Sequence, residues 1–182
     1  MDTDQLEWLA IRSFLEQGAK CGFESLFEAF YPRVVRFFRT RGLDRETCED
    51  LAQNVFLSVF RSARHVREPR RFRAWLFRIV RNEWLQHRRR SAASMRSGRP
   101  ESMADLENLS ATGFSPHLAA EIDALLRPLT EDEREIVRLH FFDGLLYREI
   151  AELLDIAVGT VKWKIFQIKL KLVESKTEMA GA

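Results

Sequence analysis

Cysteine is nearly absent from this chain, histidine is rare, and no long apolar run occurs. The two cysteines among 182 residues, Cys21 and Cys48, form no CxxC pair and stand beside no pair of histidines. That argues against a disulfide framework or a zinc site and for buried free thiols. The four histidines, His65, His87, His117 and His140, show no HExxH or other ligand spacing. Neither a GxSxG elbow nor a glycine loop able to cradle phosphate is present, so no catalytic centre, metal or cofactor is expected and the chain is not read as an enzyme. No apolar segment approaches the roughly 20 residues of a membrane-spanning helix, and the opening MDTDQLEW is acidic where a signal peptide is basic. The expectation is no membrane insertion and a cytoplasmic location.

What the chain does have is segregated charge. Hydrophobic residues make up 46% and charged residues 31%, enough to bury one good core or two small ones. The net charge of +2 conceals a pattern: residues 61–100 hold 13 arginines against Glu68 and Glu83, and residues 101–157 hold 13 acids against four arginines. The last segment then carries five lysines against Glu174 and Glu178. Two basic blocks around an acidic one imply two contacts with a polyanion, and nucleic acid fits better than a merely solvated surface.

Composition also divides the chain. From Ser91 to Pro116 it reads SAASMRSGRPESMADLENLSATGFSP, with six serines, two glycines and two prolines. At about 26 residues this is longer than loops within one compact domain, and it reads as a flexible linker. Residues 1–91 form one module, 92–117 the linker and 118–182 a second module. No strand-like alternation appears, so both modules are read as helical.

In the first module, Phe23, Leu26, Phe27, Phe30, Val34, Phe37 and Phe38 recur at three- and four-residue spacings, as in an amphipathic helix with a kink allowed at Pro32 and an end at Gly42. A second helix, about Arg45 to Arg61, buries Leu51, Ala52, Val55, Phe56 and Val59 and leaves Asp50, Gln53, Asn54 and Leu57 outside. Pro69 breaks the pattern. A third helix begins near Phe72, buries Phe72, Leu76, Ile79 and Val80, and runs to the arginines at 88–90. Beside its apolar side, Trp75, Arg78, Asn82, Gln86 and Arg89 make a polar and aromatic stripe. Such a stripe suits single-stranded DNA: arginines neutralise phosphates, an asparagine amide meets a base edge, and an aromatic ring stacks on an unpaired base. The bland alternative places Trp75 in the core and gives Asn82 a local hydrogen bond.

In the second module, Thr130 followed by Glu133 is a capping box, with Asp132 adding charge at the favourable end of the dipole. A helix from about Tyr147 to Leu154, a turn of three or four residues and a second helix follow, with Ile150, Leu154, Ile156 and Val161 as shared core and the small Ala151 at the crossing. This is helix-turn-helix spacing, in which the second helix enters the major groove. At about 100° per residue, Val161, Ile165, Ile168 and Leu172 form the buried stripe of that second helix. Trp163, Phe166 and Leu170 project from the other side, with Lys162 and Lys169 along one flank and Lys164 and Lys171 along the other.

Together the blocks FESLFEAFYPRVVRFF, EDLAQNVFLSVFR and FRAWLFRIVRN, followed after the linker by LTEDEREIVRLHFFDGLLYREIAELLDIAVGTVK, resemble the extracytoplasmic-function (ECF) class of sigma-70 family sigma factors. The resemblance spans nearly the whole chain. It implies an all-α protein of two small helical domains, a sigma region 2 bundle and a sigma region 4 helix-turn-helix. The implied function is bacterial transcription initiation, with RNA polymerase core, promoter DNA and an anti-sigma factor as partners. It implies that Asp50, Gln53, Asn54 and Leu57 meet the polymerase clamp helices. It further implies that Arg64, Arg70, Arg71, Arg73, Trp75, Arg78, Arg81, Asn82, Gln86 and Arg89 recognise and melt the minus-ten element. The loop around Ser62–Arg71 with Asn82 matches a pocket for a flipped-out base, whose extrusion costs a few kcal/mol. The second module matches the one that packs on the polymerase flap and reads the minus-thirty-five element, here with Thr160, Lys162, Lys164, Gln167 and Lys169.

Six positions depart from the family pattern. Asn54 stands where an acid is usual, Asp155 where the turn has glycine, and Ala157 where a serine caps the recognition helix, a loss of about 1 kcal/mol locally. Trp163, Phe166 and Leu170 stand where polar or arginine residues are usual. Three large side chains exceed what one or two thymine methyls cover, and a membrane-surface helix gathers its lysines on one face, so a protein contact is the preferred reading of that ridge. Two rival functions are weighed against a sigma factor. A free-standing helix-turn-helix regulator leaves the first module's arginine stripe unexplained. A magnesium nuclease built on Asp44, Glu46, Glu49 and Asp50 gives way to the simpler reading of a solvated, protein-binding face.

Overall fold

The computed structural model describes residues 3–17, 19–62, 68–96 and 124–180. The chain divides into two compact units, Met1–Leu109 and Ser110–Ala182. Among the described residues all regular structure is helical.

Among the described residues of the first unit the helices are α1 (Thr3–Gln17), α2 (Ala19–Arg39), α3 (Arg45–Ser62) and α4 (Pro69–Arg96). The phenylalanine periodicity of α2 is its core stripe, with Leu26, Phe30, Val34, Phe37 and Phe38 all buried. Phe23 and Phe27 are half-buried and pack edge-on or tilted against Phe56 of α3, with ring centroids 6.2 and 4.8 Å away. One helix continues through Pro32, whose ring is exposed. The carbonyl its missing N–H leaves unpaired belongs to Glu28, also exposed, so water can satisfy it. Gly42 stops the chain with φ +81°, the left-handed conformation that glycine adopts without a Cβ clash. Asp44 then caps α3: its carboxylate accepts the Thr47 amide at 2.9 Å and the Thr47 hydroxyl at 2.6 Å.

Helix α1 does not follow the usual apolar periodicity. Glu7, Ala10, Ile11 and Phe14 are its buried side, whereas Leu6, Trp8 and Leu9 are exposed, so an acid sits within the buried stripe and the usual pattern is inverted. Glu7 is stabilised there by two cations from other helices: Arg33 Nε lies 2.6 Å from Oε1 and Arg73 Nε 3.8 Å from Oε2. α1 also crosses α2 closely. A Cβ added at Gly22 would lie 2.3 Å from the Phe14 Cα.

Helix α4 begins at Pro69, whose fixed φ and missing N–H suit a first helical turn. It buries Phe72, Ala74, Leu76, Phe77, Val80 and Trp84, with Ile79 only half-buried. At its far end it continues to Arg96, beyond the 91/92 boundary placed by the serine-rich composition. Ala92 and Ala93 are strong helix formers and propagate a helix already nucleated upstream.

In the second unit, α5 (Glu131–Val137) leads through a π-helical stretch, Arg138–Phe142, to α6 (Tyr147–Leu154) and α7 (Val158–Ala180). The capping box forms as expected: Thr130 Oγ1 accepts the Glu133 amide at 3.4 Å and Glu133 Oε2 accepts the Thr130 amide at 2.9 Å. Arg134 gathers the turn before α5, donating to the carbonyls of Leu126, Arg127 and Leu129 at 3.0–3.1 Å. Ile136, Leu139, Leu145, Ile150, Ala151, Leu153, Val161, Ile165 and Ile168 make the core. Leu153 takes the buried place that periodicity gave to Leu154, which is half-buried along with Ile156. Asp155, with φ of 55° and ψ of 47°, closes α6 in the left-handed conformation and turns the chain sharply.

Candidate nucleic-acid interface

Two exposed faces of the first unit hold residues singled out in the sequence. On α3, Leu51, Ala52, Val55, Phe56 and Val59 face the core, and the same periodicity turns Asp50, Gln53, Asn54 and Leu57 outward. Leu57 is 53% exposed, and Phe60, one turn further on, is 45% exposed. Periodicity could have found Phe60, three residues beyond Leu57, as an extension of this face. Asp44 and Glu49 of the acidic cluster have local partners: Asp44 holds Thr47, and Glu49 Oε1 lies 2.7 Å from Arg45 Nε. Burial raises the Asp44 pKa, but the hydrogen bonds from Thr47, together with backbone amides at the start of α3, outweigh it and hold the carboxyl below its ordinary value. Among the described residues, no three His, Cys, Asp or Glu side chains are placed to hold a metal ion.

On α4, Arg78, Asn82, Gln86 and Arg89 are exposed along one line at helical spacing. Trp75 belongs partly to each reading: it is half-buried, with its ring 5.3 Å from that of Phe72, and its remaining surface adjoins the stripe. Arg70 and Arg71 are exposed in the first turn of α4 rather than in a loop, because Pro69 opens the helix there. Arg81 is half-buried. The Arg73 side chain is 13% exposed and paired with the buried Glu7, so it joins α4 to α1. Arg64 and most of the loop assigned to a flipped base lie outside the described residues.

The second unit presents α7. Its inner stripe is as expected, with Val161, Ile165 and Ile168 buried and Leu172 half-buried. Lys162 and Lys169 are exposed, and Thr160, Lys164 and Gln167 are half-exposed. Lys171 is committed elsewhere: its Nζ donates to Glu133 Oε1 at 2.6 Å, joining α7 to the capping box of α5. That bond is the main influence lowering the Glu133 pKa below the usual carboxylate value. Ala157 offers no side-chain cap, and its carbonyl accepts the Thr160 and Val161 amides as the helix starts. Trp163 (60%), Phe166 (57%) and Leu170 (43%) stand exposed opposite the core, and Val173 (65%) extends the line by one more turn. Val173 follows Leu170 by three residues and was legible in the same periodicity.

Sigma-70 region 2 matches residues 26–94 and sigma-70 region 4 matches residues 119–172. The RNA polymerase sigma factor CarQ of Myxococcus xanthus is 31% identical over 165 residues, covering 89% of this chain and 93% of the relative. The chain belongs to the sigma-70 family of sigma factors. Within that family its ECF relatives include the sigma-E factor of Haemophilus influenzae, 28% identical over 188 residues and covering 96% of this chain and 97% of the relative. Among solved structures, the sigma factor RpoE in complex with the anti-sigma factor NepR from Bartonella quintana is 26% identical. That match covers 84% of this chain and 94% of that one, with a TM-score of 0.62. CnrH, in complex with the cytosolic domain of CnrY, shares the fold at 22% identity and a TM-score of 0.63, covering 95% and 98% of the two chains. This sigma factor therefore acts in transcription initiation, with RNA polymerase and promoter DNA as its partners. A free-standing regulator is not favoured, because region 2 accounts for the first unit that such a regulator would leave without a task. No described helix is long and apolar enough to cross a membrane.

Proposed function

We propose that the chain engages core RNA polymerase through the outer face of α3, opens promoters with α4 and reads the upstream element with the start of α7. Asp50, Gln53, Asn54 and Leu57 are the clamp-helix contact. Arg70, Arg71, Arg78, Arg81 and Arg89 neutralise phosphates of the minus-ten region, where Asn82 and Gln86 offer amides to base edges and Trp75 offers a ring face. Thr160, Lys162, Lys164, Gln167 and Lys169 serve the minus-thirty-five element, with the flap of the polymerase as a second protein contact. The chain works in the cytoplasm, catalyses no reaction of its own, and is restrained by an anti-sigma factor, as its relative RpoE is bound by NepR. Residues 1–91, 92–117 and 118–182 are the corresponding functional divisions.

One observation carries the minus-ten assignment: Arg78, Asn82, Gln86 and Arg89 are all exposed on one line of α4 while the opposite side forms the core. The test is transcription in vitro with purified core polymerase and a pool of genomic promoters. The wild-type chain gives core-dependent initiation from particular start sites. Arg78→Ala/Arg81→Ala reduces promoter opening at least about tenfold, since each lost charge-assisted phosphate contact is worth roughly 1 kcal/mol or more, while affinity for core polymerase is kept. Equal loss of both would remove α4 from the DNA.

A further inference from the structure

Helix α1 lies outside the residues matched to sigma-70 region 2, and no function assigned above uses it. Its buried side is nevertheless built to hold the start of α4. Glu7 is 2% exposed, and two arginines from other helices converge on its carboxylate. Arg33 of α2 places Nε 2.6 Å from Oε1, and Arg73 of α4 places Nε 3.8 Å from Oε2. Both arginine side chains are themselves largely buried. Two turns further along α1, Phe14 meets the neighbouring residue of α4. Its ring packs edge-on against Phe72 with centroids 5.8 Å apart, and the Phe72 ring in turn lies 5.3 Å from that of Trp75.

The place of these contacts along α4 gives them their meaning. At 100° per residue, Arg73 stands on the buried side of α4, about half a turn round from the exposed Arg71, Arg78 and Asn82. Glu7 and Phe14 therefore brace α4 from behind, in the two turns that carry Arg71 and Trp75. Ring contacts with α2 continue down the helix, from Phe30 with Phe72 at 6.0 Å to Phe37 with Phe77 and Trp84 at 6.1 and 6.4 Å. A buried ion pair is a poor device for stability alone, since apolar residues of similar volume commonly do as well. Its distinctive property is direction. Apolar packing is non-directional, whereas a carboxylate shared by two guanidiniums fixes the rotation and axial place of the helices that carry them. Opening a duplex asks for such fixing, because contacts offset the cost of unstacking only where they meet the extruded base.

We propose that α1 is a positioning element for promoter opening: Glu7, through Arg73, and Phe14, through Phe72, hold Arg71 and Trp75 where the minus-ten strand meets them. This deepens the sigma-factor reading, on which it rests. Neither Glu7 nor Phe14 touches DNA, and each acts through α4. The polymerase-binding face lies on α3, so core affinity does not depend on this brace.

The test compares two forms of one promoter with core polymerase and the full-length chain: an intact duplex, and the same sequence mismatched across the minus-ten region and so already open. Glu7→Gln keeps the side chain's shape and removes its charge. It is expected to slow opening of the intact duplex at least about tenfold, read by permanganate reactivity of unpaired thymines, as small misplacements of working groups do. Core affinity and transcription from the pre-opened form are expected to stay within about twofold of wild type, a split that general loss of structure would not produce. Arg73→Met is expected to give a similar loss, and Glu7→Gln/Arg73→Met no more than the larger single loss, since the two residues act as a unit. Phe14→Leu tests the second arm, and stands in for Glu7→Gln if thermal melts show that variant unfolded. It is expected to slow the intact duplex and spare the pre-opened one. Faster opening by Glu7→Gln would mean that Glu7 withholds Arg73 from DNA, and would overturn the proposal. So would unchanged opening by Glu7→Gln or Phe14→Leu, equal loss on the two promoter forms, or single losses that multiply in the double variant. Absence of core-dependent transcription by the wild-type chain on both forms would overturn the sigma-factor reading instead.

Discussion

Helices α4 and α7 are built alike on the inside and differently on the outside. Each is long and buries an apolar stripe, Phe72, Leu76, Phe77 and Val80 in one and Val161, Ile165 and Ile168 in the other. The outward line of α4 is Arg78, Asn82, Gln86 and Arg89, groups that hydrogen-bond and neutralise phosphate. That of α7 is Trp163, Phe166, Leu170 and Val173, groups that need cover from water. Inner stripes of the same kind thus serve folding in both units, and the outer lines differ in chemistry, polar and cationic on α4 and apolar on α7.

Several substitutions test how far inside and outside differ. The largest effects are expected on the inner stripes: Phe77→Ala should lower the stability of its unit by about 3–5 kcal/mol and Ile165→Ala by about 2–5 kcal/mol, read from denaturant midpoints. Gly22→Ala should follow at about 1–3 kcal/mol, because the new methyl meets the Phe14 backbone and no flexible side chain can yield. Cap removal comes next, with Asp44→Ala in the first unit and Thr130→Ala in the second each expected to cost about 1 kcal/mol in thermal or denaturant melts. The smallest effect belongs to the outer ridge, where Trp163→Ser should change stability by no more than about 0.5 kcal/mol. A large loss there would mean that the ridge is part of the core after all.

Acid titration compares the two caps directly. Asp44 and Glu133 both have pKa values held below their ordinary ones, so each binds a proton more readily in the unfolded chain. Their stabilisation is present above the unfolded values, roughly pH 4, and is lost as pH falls through the lower folded values. Lys171→Met should blunt this acid-side loss in the second unit and leave the first unchanged, since the Lys171 hydrogen bond is the main influence on Glu133 alone. An unchanged acid limb in that variant would remove the Lys171–Glu133 bond from the stability of the second unit.

Legibility was high wherever the signal was local. The α2 phenylalanines, the α3 faces, the Thr130–Glu133 box and the Tyr147–Leu154 helix follow from spacing and capping chemistry, which depend on neighbours within a turn or two. The outward sites on α3, α4 and α7 were legible for the same reason: a helix that buries one side must show the other. Helix α1 was not, because its stripe contains Glu7 and its exposed side contains Leu6, Trp8 and Leu9.

By itself, then, the sequence determined which segments other than α1 are helical, where most of them are capped, and that α7 carries one apolar side too many. Only the tertiary structure decided which charges remain outside. Arg73 is held inside because Glu7, far away in sequence, needs a cation where water is excluded. Lys171 left the flank of the ridge because Glu133 of another helix lies within hydrogen-bond reach. Periodicity assigns a side chain to a face of its own helix, but a charge finds its partner across helices, and that distance exists only once the chain has packed.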